Sequence, residues 1–260
     1  MTTEQDWESF KAKLKRKTEI DLDLYKAPQM QRRIMNLAKR NGYDTYSGYF
    51  DYVVRDKDDF AAFIEYLTIN VSEFFRTPDK FANLETDVIP YLLRSNSRLN
   101  IWSAGCSIGA EPYSLAMIMK DLTPNTKHRI LASDLDVEIL AKARRGLYSA
   151  NELKAMSDDR RNRFFTMEGD KYAVKQEIKD CIEFKRHNLL KDNFETGFDL
   201  ILCRNVVIYF TEEAKDQLYA NFFKALKPGG VLFVGATEAI LNFRKLGYTS
   251  YKPFFYQKPL

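Results

Sequence analysis

RLNIWSAGCSIGAEPYSLAMIMKDL, residues 98 to 122, reads as a short apolar strand, a run of small residues, and then an apolar stretch long enough for a helix. The same unit recurs downstream. HRILASDLD (128 to 136) is a second strand and VEILAKARRGLY (137 to 148) a second helix. CIEFKRHNL (181 to 189) and FDLILCRN (198 to 205) follow as strands, then EEAKDQLYANFFKALKPGG (212 to 230) as a helix ending at Pro-Gly-Gly, then the strand VLFVGA. This alternation predicts a mostly parallel sheet covered by helices. YTSYKPFFYQK, residues 248 to 258, reads as an antiparallel edge hairpin.

Upstream the pattern is helical. In PQMQRRIMNLAKRNGY (28 to 43), Pro28 suits a first helical turn and Asn41-Gly42 a stop. Met30, Ile34 and Leu37 share one face, with Gln29, Arg33, Asn36 and Arg40 on a neighbouring one. DFAAFIEYLTI (59 to 69) carries another apolar stripe. The expected organisation is a helical domain over residues 1–75, a linker over 76–95 and an α/β domain over 96–260.

The chain has 260 residues, 45% hydrophobic and 29% charged, ordinary for a protein with a real core. No apolar run reaches the roughly 18 residues of a membrane span, and the polar, acidic start is unlike a signal peptide. The three cysteines (Cys106, Cys181, Cys203) have no metal or disulfide-framework spacing, and with two histidines no metal site is expected. The expected location is the cytoplasm. Between Leu24 and Tyr43 lie five cations (Lys26, Arg32, Arg33, Lys39, Arg40) and no acid. Such a face suits an anionic partner, or is simply solvated.

In open α/β sheets, ligands bind beyond the carboxyl ends of the strands. Those ends here carry SAGCSIGAE (103 to 111), Asp134, Asn188-Leu189 and Arg204-Asn205. A carboxylate ending the second strand suits both hydroxyls of a ribose. Glu111, opening a helix, repels phosphate where a pyrophosphate would otherwise sit, yet can hold an ammonium. A nucleoside with an amino-acid arm, S-adenosylmethionine, fits both. Gly105 and Gly109 serve equally well as tight-turn glycines, and Asp136 is at least as well placed as Asp134 to cap the next helix.

WSAGCSIGAEPYS, ASDLD, NLL and CRNVVIYF, with NVSEFFR upstream, resemble the chemoreceptor glutamate methyltransferase (CheR) family, in order and through most of the chain. The resemblance implies an α/β fold: a Rossmann-like class I S-adenosylmethionine methyltransferase domain with a small antiparallel β insertion, preceded by a small all-α N-terminal domain. It implies methylation of glutamate side chains on bacterial chemoreceptors. Carried over, it makes Asn70, Ser72, Arg76, Glu111, Asp134, Asn188, Leu189, Arg204 and Asn205 cofactor-binding, with Arg76 and Tyr209 beside the transferred methyl. The implied partner is the receptor's cytoplasmic helical bundle, along which Arg32, Arg33, Lys39 and Arg40 would dock; neither nucleic acid nor membrane insertion is expected. Phe74 and Phe75 read as core. FFTMEGDKYAVKQEIKDCIEF (164 to 184) departs from relatives whose glycine-rich loop grips a receptor C-terminal pentapeptide, because Gly169 is its one glycine. A small β insertion at about 160–185 without a high-affinity tether is therefore expected. Rival readings are an RNA or other methyltransferase of the same fold, and a non-catalytic cofactor-sensing module.

Overall fold

The computed structural model describes residues 3–68 and 72–260, which leaves Asn70 outside. The chain divides into two compact units, Met1–Ile69 with Val207–Gln217, and Asn70–Val206 with Leu218–Leu260.

The first unit is helical: α1 (Thr3–Thr18), α2 (Ala27–Arg40), α3 (Tyr46–Val53) and α4 (Lys57–Thr68). Pro28 lies in the first turn of α2, and Gly42, with φ +81°, supplies the left-handed stop that side chains resist. Phe10 is the centre of the core, edge-on to both Phe50 and Phe63. Truncating a ring so enclosed costs about 3–5 kcal/mol. Asp6, though buried, has partners: its carboxylate accepts from the amides of Tyr46 (2.7 Å) and Ser47 (3.1 Å), which ties α1 to the start of α3. Residues 207–217 join this unit through a bridge between Tyr25 and Phe210 and through the Lys26 amide, which donates to the Tyr209 carbonyl at 2.8 Å.

The segment expected as a linker is instead helix: α5 (Pro78–Asn83), one wide π turn (Leu84–Val88) and α6 (Ile89–Ser95). Phe81, Leu84, Val88 and Leu92 recur at helical spacing and are buried in the second unit's core. Its strands and helices follow as β1 (Asn100–Ala104), α7 (Ala110–Leu122), β2 (Arg129–Asp134), α8 (Val137–Arg145), β3 (Leu147–Tyr148), α9 (Asp158–Phe164), β4 (Phe165–Glu168), β5 (Lys171–Val174), α10 (Gln176–Lys179), β6 (Ile182–Arg186), β7 (Phe198–Cys203), α11 (Glu212–Ala225), β8 (Leu226–Val234), β9 (Thr249–Lys252) and β10 (Phe255–Gln257).

The main sheet runs β6-β2-β1-β7-β8-β10-β9; the first five strands are parallel and the last two form the expected antiparallel hairpin. Every residue of β7 is buried, as its unbroken apolar run requires. From β1 the chain steps first to β2 on one side and later to β7 on the other. That reversal is the switch point where such sheets leave a crevice. A separate antiparallel sheet, β3-β5-β4, forms the insertion, and β6 belongs to the main sheet. α11 stops at Ala225, before Pro-Gly-Gly, because Gly229 donates its amide to the Lys258 carbonyl (2.9 Å) and draws the turn into β8.

Candidate active site

At the carboxyl end of β1 the chain must leave a buried strand and begin a helix within a few residues. Gly105 (φ +77°) and Gly109 (φ +88°) make that turn. A Cβ on Gly105 would meet Val206 Cγ2 at 2.5 Å, and one on Gly109 would meet Ala143 Cβ at 3.0 Å. These glycines are therefore required by close protein packing as well as by conformation. Glu111 follows in the first turn of α7, and its carboxylate is fixed on both oxygens. Ser103 Oγ donates to Oε1 at 2.8 Å, and Arg204 Nη1 to Oε2 at 3.2 Å.

Arg204 and Asn205 begin where β7 ends. The Arg204 side chain is only 3% exposed, and besides Glu111 its Nη2 donates to the Arg76 carbonyl (2.7 Å) and Thr77 Oγ1 (3.3 Å). Its guanidinium also lies 4.6 Å from the ring centre of Phe233 and 5.2 Å from that of Phe81. Burial pushes its pKa down, and Glu111 opposes that shift. Arg204 is thus a strut: one buried cation joins a strand end, a helix start and the loop carrying Arg76. In that loop Phe75 (φ 52°) and Thr77 (φ 64°) flank Arg76 in the left-handed region. Non-glycine residues held there cost about 1–3 kcal/mol each, a strain that gathers at functional sites. Ser72 is half-buried.

Asp134 ends β2. Its carboxylate accepts from the amides of Ser107 (2.8 Å) and Asp136 (3.1 Å), and burial pushes its pKa up to about 6 despite those bonds. Ser107, at φ 49°, is another left-handed residue. Capping of α8 falls to Asp136, which accepts from the Glu138 and Ile139 amides. The His187 amide donates to the Asp134 carbonyl at 2.9 Å and brings Asn188-Leu189 beside this loop. The Asn188 side chain serves the loop itself, with Oδ1 accepting from the Leu190 amide at 3.0 Å. Cys106 and Cys203 are buried, which pushes their thiols well up and removes them as nucleophiles.

The second unit thus gathers Arg76, Glu111 and Arg204 into one network, and Asp134 with residues 187–189 into another, both at the carboxyl ends of β1, β2, β6 and β7. Tyr209 and the α2 cations belong to the first unit. There Arg32, Arg33, Asn36 and Tyr209 help line a cavity of ≈ 450 Å³. Arg32, Lys39 and Arg40 are exposed. Arg33 is held instead, stacked 4.0 Å from the ring centre of Tyr66 and donating through Nε to the Tyr66 carbonyl at 3.1 Å. Sequence reasoning missed Ser103, Ser107 and Thr77. Their signal is weak, a hydroxyl beside a strand end, and is read only once the strand ends are known.

Two features fit the crevice to S-adenosylmethionine. The Glu111 and Asp134 carboxylates are acceptors of the kind an ammonium and a ribose diol require, and among the described residues Ser107 Oγ, His187 Nε2 and Arg204 Nε are buried polar atoms without a protein partner.

The family described as the CheR methyltransferase all-alpha domain matches residues 5–68, and the CheR methyltransferase SAM binding domain matches residues 70–252. A chemotaxis protein methyltransferase of Listeria monocytogenes is 43% identical over 256 residues, 98% of each chain. One from Salmonella typhimurium is 32% identical over 229 residues, 84% of this chain and 78% of its own, and one from Borreliella burgdorferi 31% over 243 residues, 88% and 86%. The methyltransferase fold and the S-adenosylmethionine cofactor expected from the motifs stand on these matches as well as on the crevice, and the chain belongs to the CheR methyltransferase family.

Proposed function

We propose that this protein methylates glutamate side-chain carboxylates on the cytoplasmic helical bundle of chemoreceptors, giving glutamate methyl esters. The observation that carries the reading is Arg76, offered from a loop whose backbone is pinned by Arg204 and strained on either side, next to the Glu111 network. Likeness over nearly the whole chain to chemotaxis protein methyltransferases supports the receptor as substrate. Among the described residues no helix is long and apolar enough to cross a membrane, consistent with a receptor's cytoplasmic part as partner.

A glutamate carboxyl has a reference pKa of about 4.3, so the acceptor is ionised at neutral pH and needs no general base. Bound S-adenosylmethionine supplies a methyl group on a sulfonium, open to in-line displacement by a carboxylate oxygen. Arg76 orients the incoming carboxylate through paired hydrogen bonds, which a guanidinium fork suits. Too tight a grip would stabilise the ground state, so alignment is its main contribution. Glu111 and Asp134 take the methionyl ammonium and the ribose diol. Because both charges disappear in the transfer, the buried walls around Arg204 favour the reaction by limiting water.

Arg32, Lys39 and Arg40, exposed along α2, dock the acidic receptor surface, with Arg33 holding the helix in place. Glu168 pairs with Lys171, so the β4–β5 hairpin closes through the two residues Gly169-Asp170. So short a turn leaves little loop to grip a peptide, which supports docking without a pentapeptide tether.

The test is to incubate the protein with methyl-labelled S-adenosylmethionine and a receptor cytoplasmic fragment, then treat the product with base. Label released as methanol supports carboxyl methylation. Base-stable label, or none on the receptor, removes the glutamate reading.

A further inference from the structure

One carboxylate beyond the strand ends has no role in the site described above. Glu238 follows β8, is 5% exposed, and lies outside every motif quoted above. Its Oε2 accepts from the Asn205 amide at 2.5 Å and from the Gly235 amide at 3.0 Å. One oxygen therefore joins the second residue beyond β7 to the first beyond its parallel neighbour β8. Asn205 is left-handed, at φ 59°, a conformation uncommon outside glycine, though asparagine enters it more readily than most residues. The carboxyl oxygen on its amide helps hold it there. Space for that acceptor exists only because residue 235 is glycine: a Cβ there would lie 2.3 Å from Glu238 Oε2 and 3.0 Å from the Asn205 nitrogen. The buried charge is balanced in part by Arg204, on which Glu238 acts electrostatically.

The consequence passes along the chain. Asn205 sets the direction of Val206, whose methyl packs where a Cβ of Gly105 would stand. Gly105 opens the loop whose Ser107 amide holds the Asp134 carboxylate. Glu238 meets the residues assigned to the cofactor at the Asn205 amide, and the chain from Asn205 through Val206 and Gly105 to Ser107 links it to the ribose-binding carboxylate.

We propose that Glu238 is a positioning residue for the S-adenosylmethionine site, clamping Asn205 and Val206 so that the 105–107 loop and Asp134 are held ready for the nucleoside. The proposal rests on the cofactor reading and extends it to a residue outside the crevice.

Calorimetric titration of S-adenosylhomocysteine tests it in the full chain, comparing wild type with Glu238→Ala, Glu238→Gln and Gly235→Ala. Glu238→Ala is expected to weaken binding about tenfold or more, the usual scale for losing a charge-assisted acceptor, with stoichiometry still near one. Gln keeps an oxygen acceptor and is expected to stay within about threefold of wild type. Gly235→Ala displaces the carboxylate without removing it and is expected to weaken binding in the same direction, which keeps the test decisive should Glu238→Ala fail to fold. A purely structural role would lower the melting temperature and the stoichiometry while leaving the affinity of the folded molecules alone, and that result overturns the proposal. So does wild-type affinity in Glu238→Ala or Gly235→Ala. A folded wild type that binds no S-adenosylhomocysteine removes the cofactor reading and this inference together, whereas normal wild-type binding with unaffected variants removes this inference alone.

Discussion

Asp134 offers a test of the cofactor site that needs only a pH series. Its carboxyl is pushed from an ordinary 3.8 up to about 6, chiefly because burial disfavours the charged form. A shift of about two units corresponds to about 3 kcal/mol between the two protonation states. The sign is that of a raised acid: the folded protein holds this proton more readily than the unfolded chain. The resulting stabilisation is complete below pH 3.8 and is lost as pH rises through about 6. At neutral pH the group is a buried carboxylate whose two amide donors do not make up for lost water, and in the proposed site a donating ribose diol would offset that cost. Binding should therefore favour the ionised form and take up the penalty as affinity. With a pKa of about 6, roughly a tenth of the molecules are ionised at pH 5. Calorimetric affinity for S-adenosylhomocysteine should be flat from pH 8 to 7 and fall about tenfold by pH 5. Asp134→Asn should bind more weakly throughout and lose the slope. His187, which burial pushes below its usual 6.5, is a second titratable group beside this loop, and the Asn variant separates the two. Pure pH-independence in wild type, or an undiminished slope in Asp134→Asn, would refute this account of Asp134.

Other perturbations test the remaining parts. Arg204→Ala leaves Glu111 buried without its cation and should cost about 3–5 kcal/mol of stability in urea denaturation; a loss under about 1 kcal/mol would mean the strut is not needed. Arg76→Ala should lower the methylation rate about 10–100-fold even at saturating cofactor, and a retained rate would take Arg76 out of the catalytic account. Arg32→Glu/Arg40→Glu should slow receptor methylation and flatten its salt dependence, while S-adenosylhomocysteine binding stays as in wild type. Arg33→Glu should in addition lower the melting temperature, because Arg33 stacks on Tyr66.

The sheet and its ligand edge were legible because apolar runs alternate at strand and helix lengths, and a charged residue following such a run marks a strand end. Asp134, Glu111 and Arg204 emerge from that rule alone. Glu238 obeys the same rule but follows Gly-Ala-Thr, which reads as an ordinary turn. The helix over 78–95 was hidden by its position between two clearer patterns, although Phe81, Leu84, Val88 and Leu92 keep its period. Left-handed Phe75, Thr77 and Ser107 have no sequence signature, since tertiary context rather than residue type imposes those angles, and Asn205 carries only the weak preference of asparagine for that region. For the same reason Arg33 looked like one more docking cation, when Tyr66, distant in sequence, holds it.

Residues 207–217 cluster with the N-terminal helices, so the helical unit is discontinuous in sequence. It is therefore not a module that recombination can add or remove as one block. Removing the N-terminal helices would strip Tyr25 and Lys26 from their pairing with Phe210 and Tyr209, leaving that tyrosine unanchored inside an otherwise intact gene segment. An exchange between relatives has to carry both stretches, and a chimera that replaces only the first is expected to lose the footing of its own tyrosine before it gains a new receptor.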